Sequence, residues 1–254
     1  MWSNYNLIII PAYKESYNLT YIFEMFDNLL KNSSIKYKLF FIVAWDDDTM
    51  TLLETKSYYY GGDIVQSIYL WWSKSGIWYA YDKWFAYVRE HLDLKHIDSI
   101  TTMDADWSHD MSYVPLMYDK LSLWYDFIVW SRYSRYWYRY EDNYNYIDPK
   151  SRLSWLRNFL FFAFSKNKIF DKTSGFRMFK SAYVYIFDDR YPNNFTYNFY
   201  TNFIITKASS YNSYELPIVF KKRKDGASKF QFLSAIRDYT YIIYKLIKKW
   251  LLFW

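Results

Sequence analysis

Two aspartates separated by one residue, Asp104 and Asp106, follow a short stretch rich in β-branched residues at 99–103. If that stretch is a strand, side chains two positions apart point to the same side, with Ala105 between them. Carboxylate oxygens suit Mg²⁺ or Mn²⁺, and such an ion keeps positions open for diphosphate oxygens. It would stabilise the charge that develops on a leaving diphosphate. Because acidic pairs are also common on solvated loops, the pair indicates this chemistry only in context.

Basic side chains that suit phosphate groups occur farther along the chain, at Arg132, Arg223 and Lys229. Arginine offers a planar fork to phosphate oxygens, and lysine offers a mobile point charge. A basic stretch such as 223–229 is also typical of a solvated loop. Together with the aspartates, these residues favour a protein that handles phosphorylated ligands.

The elements that must position these residues alternate between strands and helices. Short apolar, β-branched runs predict five strands, and apolar residues at helical spacing predict four helices. The strands are predicted at Leu7–Ile10, Leu39–Trp45, Ile64–Leu70, Ser99–Met103 and Phe127–Trp130, and the helices at Asn18–Leu30, Thr51–Tyr60, Trp78–Arg89 and Tyr113–Leu123. This alternation predicts an α/β fold, a single Rossmann-like domain with a mainly parallel central sheet and helices on both faces. Ligands of such sheets bind beyond the carboxyl ends of the strands, where the polar motifs fall.

The composition narrows the class of partner. The chain has 254 residues, 52% of them hydrophobic, and no cysteine, which fits a globular domain with a large core. Its net charge of +6 suits nucleotide phosphates, an acidic membrane surface or nucleic acid. Because the basic residues flank phosphate-type motifs and form no continuous stripe, we expect no nucleic-acid partner.

The last segment, residues 231–254, differs from the domain predicted over residues 1–230. From Leu233 to Trp254, apolar residues recur at helical spacing with Arg and Lys between them. A basic amphipathic helix with a tryptophan-rich end can lie at a membrane interface, although a helix packed on the sheet is the alternative. No apolar stretch reaches the roughly 18 residues of a membrane span, and no signal peptide is visible.

Five motifs resemble family 2 glycosyltransferases, which have the GT-A fold. The opening Ile8–Glu15, followed by Asn18-Leu19, is similar to the start of that family. The others resemble the dolichyl-phosphate mannose synthase group: Met103–His109 its M-D-A-D-x-x-H segment, Asp126–Tyr133 its D-x-x-x-G-S-R-Y strand, Asp171–Arg177 its D-x-x-S-G-F-R segment, and Glu215–Lys229 its E-x-P-I-x-F…R-x-x-G-x-S-K segment. Trp130 stands where that group has glycine. The motifs occur in order and cover nearly the whole chain.

The resemblance implies a role for each matching residue. For the nucleotide-sugar donor it implies Pro11, Tyr13, Glu15, Asp46, Asp47, Asp104, Ala105, Asp106, Arg132, Arg223 and Lys229. For a metal ion, Mn²⁺ or Mg²⁺, it implies Asp104, Asp106 and Ser108. For a lipid phosphate it implies Ser131, Arg132, Ser174, Arg177, Arg223 and Lys229, and it makes Asp104, Asp106 and Arg132 catalytic. His109 needs no catalytic role and is expected to shape the turn after the aspartates.

The implied activity is inverting transfer of mannose from GDP-mannose to a polyprenyl (dolichyl-type) phosphate in a membrane. A lipid phosphate is already anionic at neutral pH, so its oxygen can attack the anomeric carbon without a general base. Two alternatives stay open: a polyprenyl-phosphate glucosyltransferase that uses UDP-glucose, and a catalytically inactive homologue that acts as a membrane-surface binding module.

The resemblance also implies a location. It is that of a peripheral protein on the cytoplasmic face of a membrane, the endoplasmic reticulum in a eukaryote or the plasma membrane in a prokaryote. Some members of the group are held there by small integral membrane subunits and others bind the membrane directly, and the sequence does not decide between these.

Overall fold

The computed structural model describes residues 4–44, 48–70, 76–106, 108–134, 137–138, 158–159, 162, 169–186, 197–198, 201–202, 211–217 and 240. The α-helices with bounds in these residues are α1 (Ser16–Asn32), α2 (Asp48–Tyr60), α3 (Gly76–His91) and α4 (Val114–Leu123). The strands are β1 (Tyr5–Ala12), β2 (Lys36–Ala44), β3 (Val65–Leu70), β4 (Ile97–Thr102), β5 (Phe127–Ser131), β6 (Tyr133–Ser134), β7 (Trp137–Tyr138), β8 (Arg177–Lys180) and β9 (Ser213–Pro217). Short 3-10 turns occur at Leu94–His96, Met111–Tyr113 and Ser181–Ile186.

Seven of these strands form one sheet in the order β3-β2-β1-β4-β8-β5-β9. Each pairs in parallel with its neighbours except β8, which runs antiparallel between β4 and β5. In this register Thr102 of β4 and Val129 of β5 both lie opposite Arg177 of β8. The predicted α/β class with a mainly parallel sheet is confirmed, whereas β8 was not among the predicted strands.

The alternation of side chains along β1 explains why helices cover both faces of the sheet. Ile8 and Ile10 join a core cluster with residues of α1, α2 and α4, whereas Leu7 and Ile9 join a second cluster with residues of α3. All four side chains are almost completely buried. Because a strand covered on both faces is apolar at every position, it is recognisable in the sequence as a continuous apolar run.

The predicted interfacial helix at 231–254 lies outside the described residues apart from Thr240, so the boundary at residue 230 stays a prediction. None of the helices that the structure describes is both long enough and apolar enough to cross a bilayer.

Candidate active site

Four sequence motifs meet at one edge of the sheet. The carboxyl ends of β1, β4 and β5 lie there because these strands run in the same direction. The segment that leads into β8 reaches the same edge, since β8 runs the opposite way. Residues 13–15, 104–106, 108–109, 131–132 and 171–176 therefore lie at the same edge of the sheet, although they are far apart in the sequence.

The segment after β1 is fixed to the starts of α1 and α2. The chain turns at Lys14, whose φ of 57° is unusual for a residue with a side chain. The Lys14 ammonium lies 5.7 Å from the centroid of the Tyr13 ring. The Glu15 N–H donates to Thr49 Oγ1 at 3.3 Å, and the Asn18 amide donates to Glu15 Oε2 at 2.6 Å. Tyr13 and Glu15, predicted to hold the nucleoside, are thus placed at the site edge.

Pro11, also predicted to contact the nucleoside, is partly buried within β1. The other predicted donor ligands Asp46, Asp47, Arg223 and Lys229 lie outside the described residues. The first two precede α2, whose Thr49 contacts the segment after β1.

The turn after β4 is built around His109. The Asp104 N–H donates to His109 Nδ1 at 2.8 Å, so the neutral imidazole carries its proton on Nε2. The His109 ring is buried, stacks on Phe176 at 5.0 Å between centroids and meets the edge of Trp130 at 5.5 Å. The expectation that His109 shapes this turn is confirmed.

The two aspartates of the turn have different surroundings. The Asp104 side chain is 29% exposed, whereas Asp106 is almost buried. Asp106 Oδ1 accepts hydrogen bonds from the N–H of Ser108 at 3.1 Å and from its hydroxyl. Ser108, predicted as a metal ligand, therefore holds the Asp106 carboxylate in the structure, and Ala105 is a buried spacer between the two acids.

Gly175 allows the segment before β8 to lie directly against Asp104. A Cβ atom at this position would lie 3.1 Å from Asn198 Nδ2 and 3.4 Å and 3.7 Å from the Asp104 carboxylate oxygens. The Gly175 carbonyl also accepts from Thr102 Oγ1 at 2.7 Å. A larger residue would crowd the carboxylate, so the absence of a side chain at Gly175 lets this segment pack closely against Asp104.

The paired aspartates fit a divalent cation of the magnesium type. Within the part of the chain that the structure describes, no group of three or more His, Cys, Asp or Glu side chains gathers to hold a metal. Mg²⁺ commonly binds through one or two carboxylates and takes its remaining ligands from water and substrate phosphates. Asp104 and Asp106 could supply such a pair.

Arg132 and Asp171 form a bidentate ion pair after β5. Arg132 Nε donates to Asp171 Oδ2 at 2.8 Å, and Nη2 donates to Oδ1 at 2.7 Å. The Arg132 backbone N–H also donates to Oδ2 at 3.1 Å. Burial raises the pKa of Asp171, but the charge and hydrogen bonds of Arg132 outweigh burial and hold that pKa below its usual value. The carboxylate is wholly buried and the Arg132 side chain is 21% exposed, so the guanidinium is fixed at the edge of the site.

The loop that carries Asp171 is held by hydrogen bonds from its backbone to Glu215 of β9. Glu215 Oε1 accepts from the Asp171 N–H at 2.7 Å, and Oε2 accepts from the Phe170 N–H at 2.9 Å. Burial raises the pKa of Glu215, and hydrogen bonds from Ser131 and these amides oppose the rise. The buried Lys172 ammonium donates to the Ile169 carbonyl at 2.6 Å, and burial lowers its pKa to about 8 against the attraction of both acids.

The structure corrects the predicted role of Arg177. This residue, expected to bind a lipid phosphate, is wholly buried in β8. Its guanidinium donates to Thr102 Oγ1 at 3.3 Å, to Asn202 Oδ1 at 2.9 Å and to the Thr201 hydroxyl. Arg177 therefore links β4 to the segment around residue 201, and it is inaccessible to a membrane lipid.

Ser131 and Ser174 need the same correction. Both were predicted to contact the lipid phosphate, and both are buried. The Ser131 hydroxyl contacts Glu215, and the Ser174 hydroxyl contacts the backbone of Phe176. Their buried hydroxyl groups thus stabilise the residues around the site, Glu215 and the backbone at Phe176. Of the residues predicted for the lipid phosphate, Arg132 is the one that the structure describes at the edge of the site.

Asp171, Gly175 and Glu215 lie within the recognised motifs, but no role was predicted for them. The motif resemblance marked their positions, and only the fold shows that Asp171 faces Arg132, 39 residues away in the chain. Asn202 was outside every motif, and its amide donates to the carbonyls of Lys172 and Ser174 at 3.0 Å and 3.1 Å.

A mainly parallel sheet with paired aspartates after a central strand fits an α/β transferase with the GT-A fold. The chain belongs to glycosyltransferase family 2, whose model, described as glycosyl transferase family 2, matches residues 7–187. The predicted family and fold are confirmed, and membership of the dolichyl-phosphate mannose synthase group stays a prediction. No curated protein sequence is significantly similar to the chain.

Solved structures support the same fold. Glucosyl-3-phosphoglycerate synthase from Mycobacterium tuberculosis, in complex with Mg²⁺ and UDP, superposes with a TM-score of 0.59 at 10% identity over 88% of this chain and 73% of that chain. The same enzyme with Mn²⁺, UDP-glucose and phosphoglyceric acid gives a TM-score of 0.58 at 12% identity over the same shares. With Mn²⁺, UDP and glucosyl-3-phosphoglycerate the TM-score is 0.56 at 11% identity, again over 88% and 73%. At such identity the likeness concerns the fold alone.

Proposed function

We propose that this glycosyltransferase transfers mannose from GDP-mannose to a polyprenyl phosphate, with inversion and with the help of Mn²⁺ or Mg²⁺. The observation that carries the proposal is that paired aspartates and a fixed arginine fork share one edge of the sheet. Such an edge can accept two phosphorylated ligands side by side. The sequence motifs Met103–His109 and Asp171–Arg177 favour the mannosyl and lipid-phosphate specificity.

The donor side of the proposed site comprises Asp104, Asp106 and the segment after β1. The two aspartates would hold a divalent ion, which when bound supplies positive charge to the departing diphosphate. Glu15 is fixed by Asn18 of α1 and Thr49 of α2, and it would contact the nucleoside together with Tyr13. The GT-A neighbours named above were crystallised with Mn²⁺ or Mg²⁺ and UDP, which supports a nucleotide-sugar donor.

The acceptor side would depend on Arg132. Asp171 occupies one edge of its guanidinium, through Nε and Nη2, so the planar group has a set orientation toward a phosphate oxygen. An anionic acceptor needs no base to remove a proton. Asp171 and Glu215 are consistent with this, because their carboxylates are engaged by Arg132 and by backbone amides. Catalysis then consists of holding the two anionic ligands in line, and a single displacement inverts the anomeric centre.

A second candidate is transfer of glucose from UDP-glucose to the same class of acceptor. The observation that favours it is that a neighbour of the same fold was crystallised with UDP-glucose. We rank it below mannose transfer because the motif pattern of this chain resembles the mannose synthases.

The test is transfer of labelled sugar to a short polyprenyl phosphate, with GDP-mannose and UDP-glucose compared in the presence of Mn²⁺. Asp106→Asn keeps an oxygen for Ser108 and removes the charge, so we expect a loss of at least about a hundredfold. Asp63→Asn, an exposed acid before β3 at the opposite edge of the sheet, is the matched control and should keep native activity.

Each other outcome is informative. Equal transfer by the native protein and Asp106→Asn would contradict the proposed role of the aspartates. Transfer from UDP-glucose alone would establish the second candidate. Nucleotide binding without transfer to any polyprenyl phosphate would support the inactive binding module.

A further inference from the structure

We propose that Glu215 is a positioning residue for Arg132, acting through the backbone at 170–171 and the carboxylate of Asp171. Its effect on catalysis rests on the proposed role of Arg132 toward an acceptor phosphate, whereas its effect on the orientation of Arg132 does not. Glu215 has no direct part in the proposed reaction, and the contacts that connect it to Arg132 are all in the described residues.

The first step joins β9 to the loop. Glu215 lies opposite Val129 of β5, three residues before Arg132. Its two carboxylate oxygens accept from two consecutive backbone amides, at Phe170 and Asp171. A partly buried carboxylate that accepts two such hydrogen bonds holds both amides in one orientation. The backbone of Asp171 is therefore fixed relative to β9 and β5.

The second step joins the loop to the arginine. Asp171 accepts from the backbone N–H of Arg132 and from its Nε and Nη2. Thr173 completes this contact, because its hydroxyl donates to Asp171 Oδ1 at 3.1 Å and accepts from Arg132 Nη2. The main chain and the side chain of Arg132 both donate hydrogen bonds to the Asp171 carboxylate. Any displacement of Asp171 therefore changes the orientation of the guanidinium.

The charges of the group show that it acts by orientation. Two acids, Asp171 and Glu215, lie close to two cations, Arg132 and Lys172. Because the four charges sum to zero, the group as a whole attracts a distant anion weakly. Arg132 would bind a phosphate through N–H donors that point in fixed directions. Such hydrogen bonds weaken strongly when the residues that orient the donors move.

Glu215→Gln is the substitution that tests the relay. Glutamine has the same shape, but its amide nitrogen must face one of the two backbone N–H groups, so one hydrogen bond to the loop is lost. We expect kcat/KM for polyprenyl phosphate to fall about ten- to a hundredfold. The dissociation constant for GDP, measured separately, should stay within about twofold because Asp104, Tyr13 and Glu15 follow other strands, β4 and β1. Glu90→Gln, whose side chain is 70% exposed at the end of α3, is the matched control.

The double variant separates positioning from general destabilisation. If Glu215 acts through Arg132, Glu215→Gln should cause no further loss of activity in an Arg132→Lys background. Additive losses, or a parallel loss of GDP affinity and of melting temperature, would overturn the proposal in favour of a purely structural role.

An activity-independent measurement keeps this inference apart from the proposed function. In ¹⁵N–¹H spectra the Nε–Hε signal of Arg132, assigned by its absence in Arg132→Lys, should be sharp in the native protein and in Glu90→Gln. It should broaden or shift in Glu215→Gln, as the contact with Asp171 loosens. An unchanged signal would refute the relay even if transfer activity is found. A changed signal in a protein that transfers no sugar would uphold the relay and refute the proposed function.

Discussion

Three charged residues at the site edge, Asp104, Asp106 and Arg132, are each held by a neighbour before any ligand binds. Asp106 accepts from Ser108, Asp104 is fixed through its N–H by His109, and Arg132 is fixed by Asp171. Such support keeps polar groups in a productive orientation without reorganisation during the reaction. The site thus depends on Ser108, His109 and Asp171, which hold these three residues in place.

Lys172, which lies next to Asp171 in the chain, is a buried residue of the site whose protonation depends on pH. Burial lowers the pKa of its ammonium from 10.5 to about 8. Between about pH 8 and pH 10.5, the unfolded chain keeps the Lys172 proton that the folded protein releases. The free energy of unfolding therefore rises with pH in this range. The unfavourable contribution of the buried charge is complete below about pH 7 and is relieved as the pH rises toward the unfolded pKa, by roughly 3 kcal/mol in total.

We therefore predict a pH-dependent difference between the native protein and Lys172→Met. Urea unfolding between about pH 7 and pH 10 should show the native protein gaining stability relative to the variant, because the variant lacks the group. The titration of the many tyrosines cancels in this difference. Lys36→Met, at an exposed position at the start of β2, should show no such trend. A constant difference over the range would mean that Lys172 titrates normally.

At the scale of elements, the sequence pattern was sufficient for the regular part of the fold. The first five strands and the four helices were predicted within a few residues, because buried strands are continuous apolar runs and the helices have one apolar face. β8 was missed because it spans four residues, Arg177–Lys180, and follows a segment that resembled a binding motif. The periodicity of hydrophobic residues is a weak signal for so short a strand.

Contacts between residues far apart in the sequence could not be predicted from hydrophobic periodicity. No local pattern shows that Arg132 meets Asp171, or that Arg177 and Ser174 point inward, because burial at these positions is set by the antiparallel insertion of β8 between β4 and β5. Trp130 is a related case. It replaces a glycine of the resembled group, and the structure accommodates it at 4.4 Å from the Phe176 ring and 5.4 Å from Tyr113.

The turn between β4 and α4 offers a test at this scale. His109→Phe keeps a ring against Phe176 and Trp130 and removes the acceptor for the Asp104 N–H. We predict a loss of about 1–2 kcal/mol in the free energy of unfolding, since a partly buried donor loses its partner. Sugar transfer should fall more than stability alone explains, because Asp104 is no longer held.

His91→Phe is the control for this substitution. His91 is 55% exposed at the end of α3 and stacks on Tyr87, a contact that phenylalanine preserves. Chemical denaturation should give a change within about 0.5 kcal/mol of the native value. If both variants lose the same stability, the hydrogen bond from Asp104 does not organise the turn.

For the whole molecule, the proposed lipid acceptor requires association with a membrane, and no helix among the described elements could span one. Our proposal is that residues 231–254, with Lys245, Lys248 and Lys249 close in sequence to Trp250 and Trp254, lie on an anionic membrane surface. The net charge of +6 favours such association in general, so the test must distinguish a specific segment from total charge.

Two charge-matched triple variants make that distinction in co-sedimentation with vesicles that contain phosphatidylserine. Substituting Lys245, Lys248 and Lys249 by glutamine should weaken binding on the order of a hundredfold, since each basic residue near an anionic surface contributes about 1 kcal/mol. Substituting Lys31, Lys36 and Lys95, which are exposed at the opposite edge of the sheet, removes the same charge and should change binding little. At high salt the two variants should converge, because screening removes the electrostatic part. Equal losses in both would show that total charge drives the association, and no loss in either would assign the C-terminal segment to the protein core.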